Sequence, residues 1–204
     1  HEDYMHKSDN KERKTYHQRR IDLLTPLVKG WCTENSVEIT SLGLQIHGGM
    51  GFIEETGAAQ HMRDARILPI YEGTNGIQAL DLVGRKLSRD KGKAAIELLE
   101  DLSLIVRDSR VAKLEVLANS LEASLAACKE AITILLTEGK QDWTIPCASA
   151  FNVMMLMGGT AAGAMLAKSA IVASNLNDKS SGNARRKLFT LLDKRAVIKI
   201  QLKI

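Results

Sequence analysis

Three short segments hold the residue types that could do chemistry: Gln45-Ile-His-Gly-Gly-Met-Gly-Phe52, Arg63-Asp-Ala-Arg66 and Tyr71-Glu-Gly-Thr-Asn-Gly-Ile-Gln78. Glu72 is preceded by Ile67, Leu68, Ile70 and Tyr71 and followed by Gly73. Apolar surroundings raise a carboxyl pKa toward the range useful to a general base, and a glycine lets the backbone approach a ligand closely. Taken alone, the residue reads as a solvated loop acid. The glycines at 48, 49 and 51 can form a plain helix-to-helix turn. They are not a dinucleotide-binding fingerprint, because they follow a helical pattern rather than a strand and their spacing differs. Arg63, Asp64 and Arg66 are spaced for structural ion pairing.

In this order and at this spacing, the three segments resemble the acyl-CoA dehydrogenase family. The pattern is Q-x-x-G-G-x-G, then R-D-A-R-I, then I-Y-E-G-T-x-x-I-Q, and it is carried over about residues 21 to 89. Leu23 to Lys29 and Thr74 to Gln78 resemble the bacterial branch, which has an additional C-terminal helical domain. The resemblance implies an all-α fold, with a helical bundle domain at 1–90 and a second helical bundle at 91–204. It implies α,β-desaturation of an acyl-CoA thioester, with FAD as cofactor and electron-transferring flavoprotein as partner, in a cytoplasmic homodimer or homotetramer. An acyl-CoA oxidase and a non-catalytic helical interaction module are the alternatives.

Residue by residue, the resemblance implies that Glu72 takes the α-proton and that Gly73 lies against the substrate. Thr74, Asn75, Gly76 and Gln78 match positions near the flavin. Gln45, Ile46, His47, Gly48 and Gly49 match a segment that reaches the adenosine end of an FAD bound mainly by the partner subunit. His47 stands where the family varies and reads as a packing or hydrogen-bonding residue. The family's N-terminal helical domain and middle β-domain do not fit in 204 residues. The chain is therefore expected to be a fragment that alone binds FAD weakly or not at all and does not turn over.

The elements that must position these residues follow from periodicity. Residues 1 to about 20 are dense in charge and read as a mobile loop or a ragged helix end. Thr25-Pro26 is a helix start, followed by an apolar face of Leu27, Trp31, Val37, Ile39, Leu42 and Ile46. Gly48-Gly49 ends that helix, a loop runs to Gly57, and a short helix covers Ala58 to Arg66. Pro69 forces a turn, and Thr74 caps a helix that continues through Leu87. Lys91-Gly92 punctuates. Beyond it lie three helical stripes: Ile96 to Val106, Leu114 to Leu135, and Phe151 to Ser169. Gly158, Gly159 and Gly163 within the third predict a close helix–helix approach, since each costs helix propensity. Ile198 to Ile204 alternates with a period of two and reads as a strand.

Composition agrees with helices packed on helices. The chain is 45% hydrophobic but only 4% aromatic, and has three prolines. A net charge of +4, with acids interrupting every basic run, suits phosphate-bearing ligands and argues against nucleic acid. Cys32, Cys128 and Cys147 are odd in number and far apart, which points to free thiols and a reducing compartment. No apolar run is expected to reach membrane-spanning length, and the polar N-terminus does not read as a signal peptide.

Overall fold

The structure is a computed structural model that describes residues 1–7 and 10–177. Helices account for nearly all of it, and there is no strand among the described residues. The strand-like stretch 198–204 lies outside them.

A short helix α1 (Glu2–Lys7) leads into α2 (Lys11–Ile46), a single helix of 36 residues. Its start corrects the expected helix beginning. Asn10, not Thr25, is the N-cap, and its side-chain oxygen accepts from the backbone N–H groups of Glu12 and Arg13. Of the two readings of the charged N-terminal stretch, the helical one holds, and from Lys11 it is continuous with α2. It is fixed by ion pairs from Arg19 to Glu97 at 3.3 Å and from the buried Arg20 to Asp101 at 2.8 Å. Thr25 lies inside the helix, where its hydroxyl donates to the Ile21 carbonyl. Pro26 is also internal, at a typical cost of about 3 kcal/mol. Leu23, Pro26 and Leu27 are all fully buried. Burying one leucine side chain contributes about 1.5–3 kcal/mol, so the packing of this turn offsets the missing hydrogen bond.

After α2 come α3 (Gly49–Phe52), a 3-10 turn (Glu54–Thr56) and α4 (Ala58–Ile67). The expected loop from Gly48 to Gly57 is therefore partly helical. Helix α5 (Asn75–Asp81) begins at Thr74, passes through a π-helical turn (Leu82–Lys86) and ends in α6 (Leu87–Arg89). The wider turn puts the adjacent Leu82 and Val83 both into the core. The three stripes form α7 (Lys93–Val111), α8 (Glu115–Thr137) and α9 (Thr144–Asn177), with a 3-10 turn (Glu138–Lys140) before the last.

One buried apolar cluster runs from Leu23 and Leu27 through Leu82 and Leu87 to Leu102, Leu121, Met154 and Ala170. It joins α2 and α5 to α7, α8 and α9, because α9 packs against all four. The close approach expected from the glycines is met at Gly158. A Cβ there would stand 2.6 Å from the Trp31 Cβ. Contrary to the sequence expectation, α9 contains a stretch, Thr144–Ser174, long and apolar enough to cross a membrane; 56% of its most apolar window is buried inside this fold. The outer half of α2 departs from its predicted apolar face: Ile39, Leu42 and Ile46 are exposed, Ile46 to 84%.

Candidate functional site

The Glu72 turn links α4 to α5. Pro69 closes the end of α4, and its carbonyl accepts from the Asn75 N–H at 3.0 Å, drawing the turn into a loop. Thr74 caps α5 as the sequence predicts, its hydroxyl accepting from the Ile77 N–H at 3.3 Å. Between these anchors, Glu72 has φ +55° and Gly73 φ +82°. Among the described residues only Lys91 and Lys113 are other non-glycines with positive φ. Both of those terminate helices: the N–H of Gly92 returns to Leu87, and that of Leu114 to Ser109. Glu72 ends no helix. A non-glycine in the left-handed region costs about 1–3 kcal/mol and persists only where its surroundings fix it.

Two side chains do so here. The Gln78 amide donates to the Glu72 carbonyl at 3.1 Å. The Lys29 ammonium donates to the Gly73 carbonyl at 2.8 Å and to the Asn75 side-chain oxygen at 2.7 Å. Asn75 is buried, and its amide donates to Glu34 and to the Thr33 hydroxyl, each at 2.8 Å. The turn is thereby bolted to the middle of α2. Burial lowers the Lys29 pKa from the usual lysine value, against the opposing attraction of Glu34 and Glu72. Sequence reasoning missed Lys29, Thr33 and Glu34 because they meet the turn only through the fold, more than 40 positions away in the chain.

The carboxylate of Glu72 is exposed. Its apolar neighbours Ile67, Ile70, Tyr71, Ile77 and Leu80 are each about half exposed. The expected apolar flank is present, but the chain does not itself bury the acid. Among the described residues no intrachain acceptor takes the Glu72 N–H.

The predicted cofactor residues fall in two places. Gly73, Thr74, Asn75, Gly76 and Gln78 share the turn and first helical turn with Glu72. Gln45, Ile46, His47, Gly48 and Gly49 lie at the far end of α2. Gln45 is 16 residues beyond Lys29, or about 24 Å along the helix. One end of α2 therefore braces the turn while the other carries the glycine segment. There Gly48 has φ +61°, and a side chain added at Gly48 or Gly49 would meet nothing within 4 Å. His47 is exposed, and its ring nitrogen is hydrogen-bonded to the Gly43 carbonyl at 2.8 Å. Arg63 forms a two-pronged pair with Glu54, at 2.7 Å for each prong. No group of three or more potential metal-ligating side chains occurs among the described residues.

Residues 5–87 match the family model described as acyl-CoA dehydrogenase, C-terminal domain. The chain is 47% identical over 158 residues to the 3-methylmercaptopropionyl-CoA dehydrogenase of Ruegeria pomeroyi, covering 76% of this chain and 27% of that protein. A stretch of that length must cross α5, α7 and α8 wherever it starts. The chain is 45% identical over 73 residues to the broad-specificity linear acyl-CoA dehydrogenase FadE5 of Mycobacterium tuberculosis, covering 36% and 12% of the two chains. It is 49% identical over 55 residues to the bovine mitochondrial short-chain specific acyl-CoA dehydrogenase, covering 27% and 13%. The chain thus spans about a quarter or less of the length of these relatives.

Proposed function

From the premise that this chain belongs, through residues 5–87, to the C-terminal portion of the acyl-CoA dehydrogenases, we propose that it supplies the catalytic base of an acyl-CoA desaturation. The base is the carboxylate of Glu72, and the substrate is an acyl-CoA thioester. The observation that carries this reading is the left-handed Glu72 itself, held at φ +55° without a helix end to explain it. Strain of this kind, fixed by Gln78 and Lys29, is expected where a side chain must be aimed.

An α-hydrogen beside a thioester is only weakly acidic, so the carboxylate must be brought close and kept poorly solvated. The half-exposed face of Ile67, Ile70, Tyr71 and Ile77 is suited to be covered by the remainder of the protein, which would exclude water from the Glu72 carboxylate. As the proton moves to the Glu72 carboxylate, negative charge develops on the thioester oxygen. The Glu72 N–H, with no acceptor inside the described residues, is available to stabilise it. Gly73 leaves room for the thioester to approach the backbone.

FAD, when bound, accepts the β-hydride. The residues here fit a neutral, close-approach contact with it. Gly76 is open: a Cβ added there would meet only the Thr74 hydroxyl, at 3.9 Å. Gln78 keeps its carbonyl oxygen available while its amide holds Glu72. Asn75 acts from inside, as the bolt of the turn. The separation of Gln45–Gly49 from Glu72 supports their contacting a flavin held by a partner subunit, in a homodimer or homotetramer. Electrons would then pass to an electron-transferring flavoprotein in the cytoplasm. The helices after Lys91 read as the additional C-terminal bundle, docked on α2.

The test is Glu72→Gln in the complete flavoprotein. Turnover on acyl-CoA should fall by at least about 10²-fold, the scale of a lost general base, with flavin content unchanged. Unchanged turnover would return the chain to a scaffold role.

A further inference from the structure

We propose that Lys29 is a positioning residue for Glu72, setting the shape of its turn; this rests on the reading of Glu72 as the base. The ammonium bridges the Gly73 carbonyl, one residue beyond Glu72, to the side chain that starts α5. Without it, Gly73 would be free to turn its carbonyl toward solvent, and only the Gln78 amide would hold the Glu72 carbonyl in place.

On α5 the contact of Lys29 is the neutral Asn75, and α9 meets α2 at this level through Met154, against Gly30. Helix α4, also packed on α2, has its ionisable residues His61, Arg63, Asp64 and Arg66 exposed. Among the described residues Lys29 is therefore the one cation bonded to the backbone of this turn.

Two substitutions in the complete flavoprotein separate this role from simple stabilisation. Lys29→Met keeps the aliphatic stem but removes both hydrogen bonds, so kcat should fall about 10-fold, with KM within about threefold and flavin retained. Lys29→Arg keeps a donor able to reach the Gly73 carbonyl and should recover most of kcat.

A kcat within about twofold of wild type in Lys29→Met overturns the proposal, even if its melting temperature falls. If Lys29→Met does not fold, Lys29→Gln, polar but too short to bridge both acceptors, is judged by the same kcat. Failure of the underlying reading looks different, because Glu72→Gln would then retain turnover. A dead Glu72→Gln beside an unchanged kcat in Lys29→Met sinks only the role of Lys29.

Discussion

Replacing Gly158 with alanine adds a single methyl group at the contact between α9 and α2. That carbon would stand 2.6 Å from the Trp31 Cβ and 2.8 Å from its Cγ. Carbon atoms normally rest about 3.5–4.0 Å apart, so roughly 1 Å must be found. No rotamer supplies it, because the Trp31 Cβ is attached directly to the backbone of α2. The helices must separate, and overpacking of this kind costs about 1–3 kcal/mol. Alanine returns about 1 kcal/mol of helix propensity, leaving a net loss of up to about 2 kcal/mol. The control is Gly43→Ala, on the outer part of α2, where an added Cβ meets nothing within 4 Å. Only the propensity acts there, so this variant should gain about 0.5–1 kcal/mol. Urea unfolding followed by tryptophan fluorescence measures both, and melting should shift by about 2–4 °C per kcal/mol for a chain of this size. The same Gly-to-Ala change thus has opposite signs at two positions. A Gly158→Ala midpoint at or above wild type, with an unchanged slope, refutes the close packing of α9 on α2.

Two further outcomes are expected. Thr74→Ala removes the hydroxyl that accepts from Ile77 and should cost about 1 kcal/mol in the same assay, whereas Thr74→Ser should cost much less. Cys32 and Cys147 are exposed, while Cys128 is buried, hydrogen-bonded to Thr160 at 3.3 Å, and has its pKa pushed up by burial to about 11. Native protein near neutral pH should therefore react with a thiol reagent quickly at two cysteines and at the third only on unfolding. Rapid labelling of all three would contradict the packing of α8 against α9.

The C-terminal helices were legible because their stripes are long and their apolar residues go where the period sends them. Leu117, Leu121, Leu125, Cys128, Ile132 and Leu135 are all buried on α8. The Thr74 cap and the Lys91-Gly92 break were likewise local chemistry, readable from residue type alone. Helix α2 was misread at its start because Thr-Pro is a strong local signal for a helix beginning. The actual decision was tertiary, since Pro26 is accepted where Leu23 and Leu27 pack into the core. The apolar face of α2 failed at Ile39, Leu42 and Ile46 for the complementary reason: helical periodicity shows which residues share a face, not whether this chain covers it. Glu72 was singled out through its motif, but the side chains that hold its turn were hidden. Lys29 and Asn75 are 46 positions apart, and nothing in either segment announces the other.

The Lys29 bridge and the Gly158 contact together set a timetable for the nascent protein. The Glu72 turn is fastened to α2, and α2 is in turn held by α9 through Trp31 and Gly158. During synthesis, Glu72 is joined to the chain 86 residues before Gly158. At about 5–20 residues per second, the ribosome takes roughly 4–17 s to bridge that gap. For that interval, the surface of α2 that receives α9 faces water or a chaperone, and the platform beneath the turn is unfinished. Glu72 is made early, but the platform beneath its turn is completed only when α9 arrives.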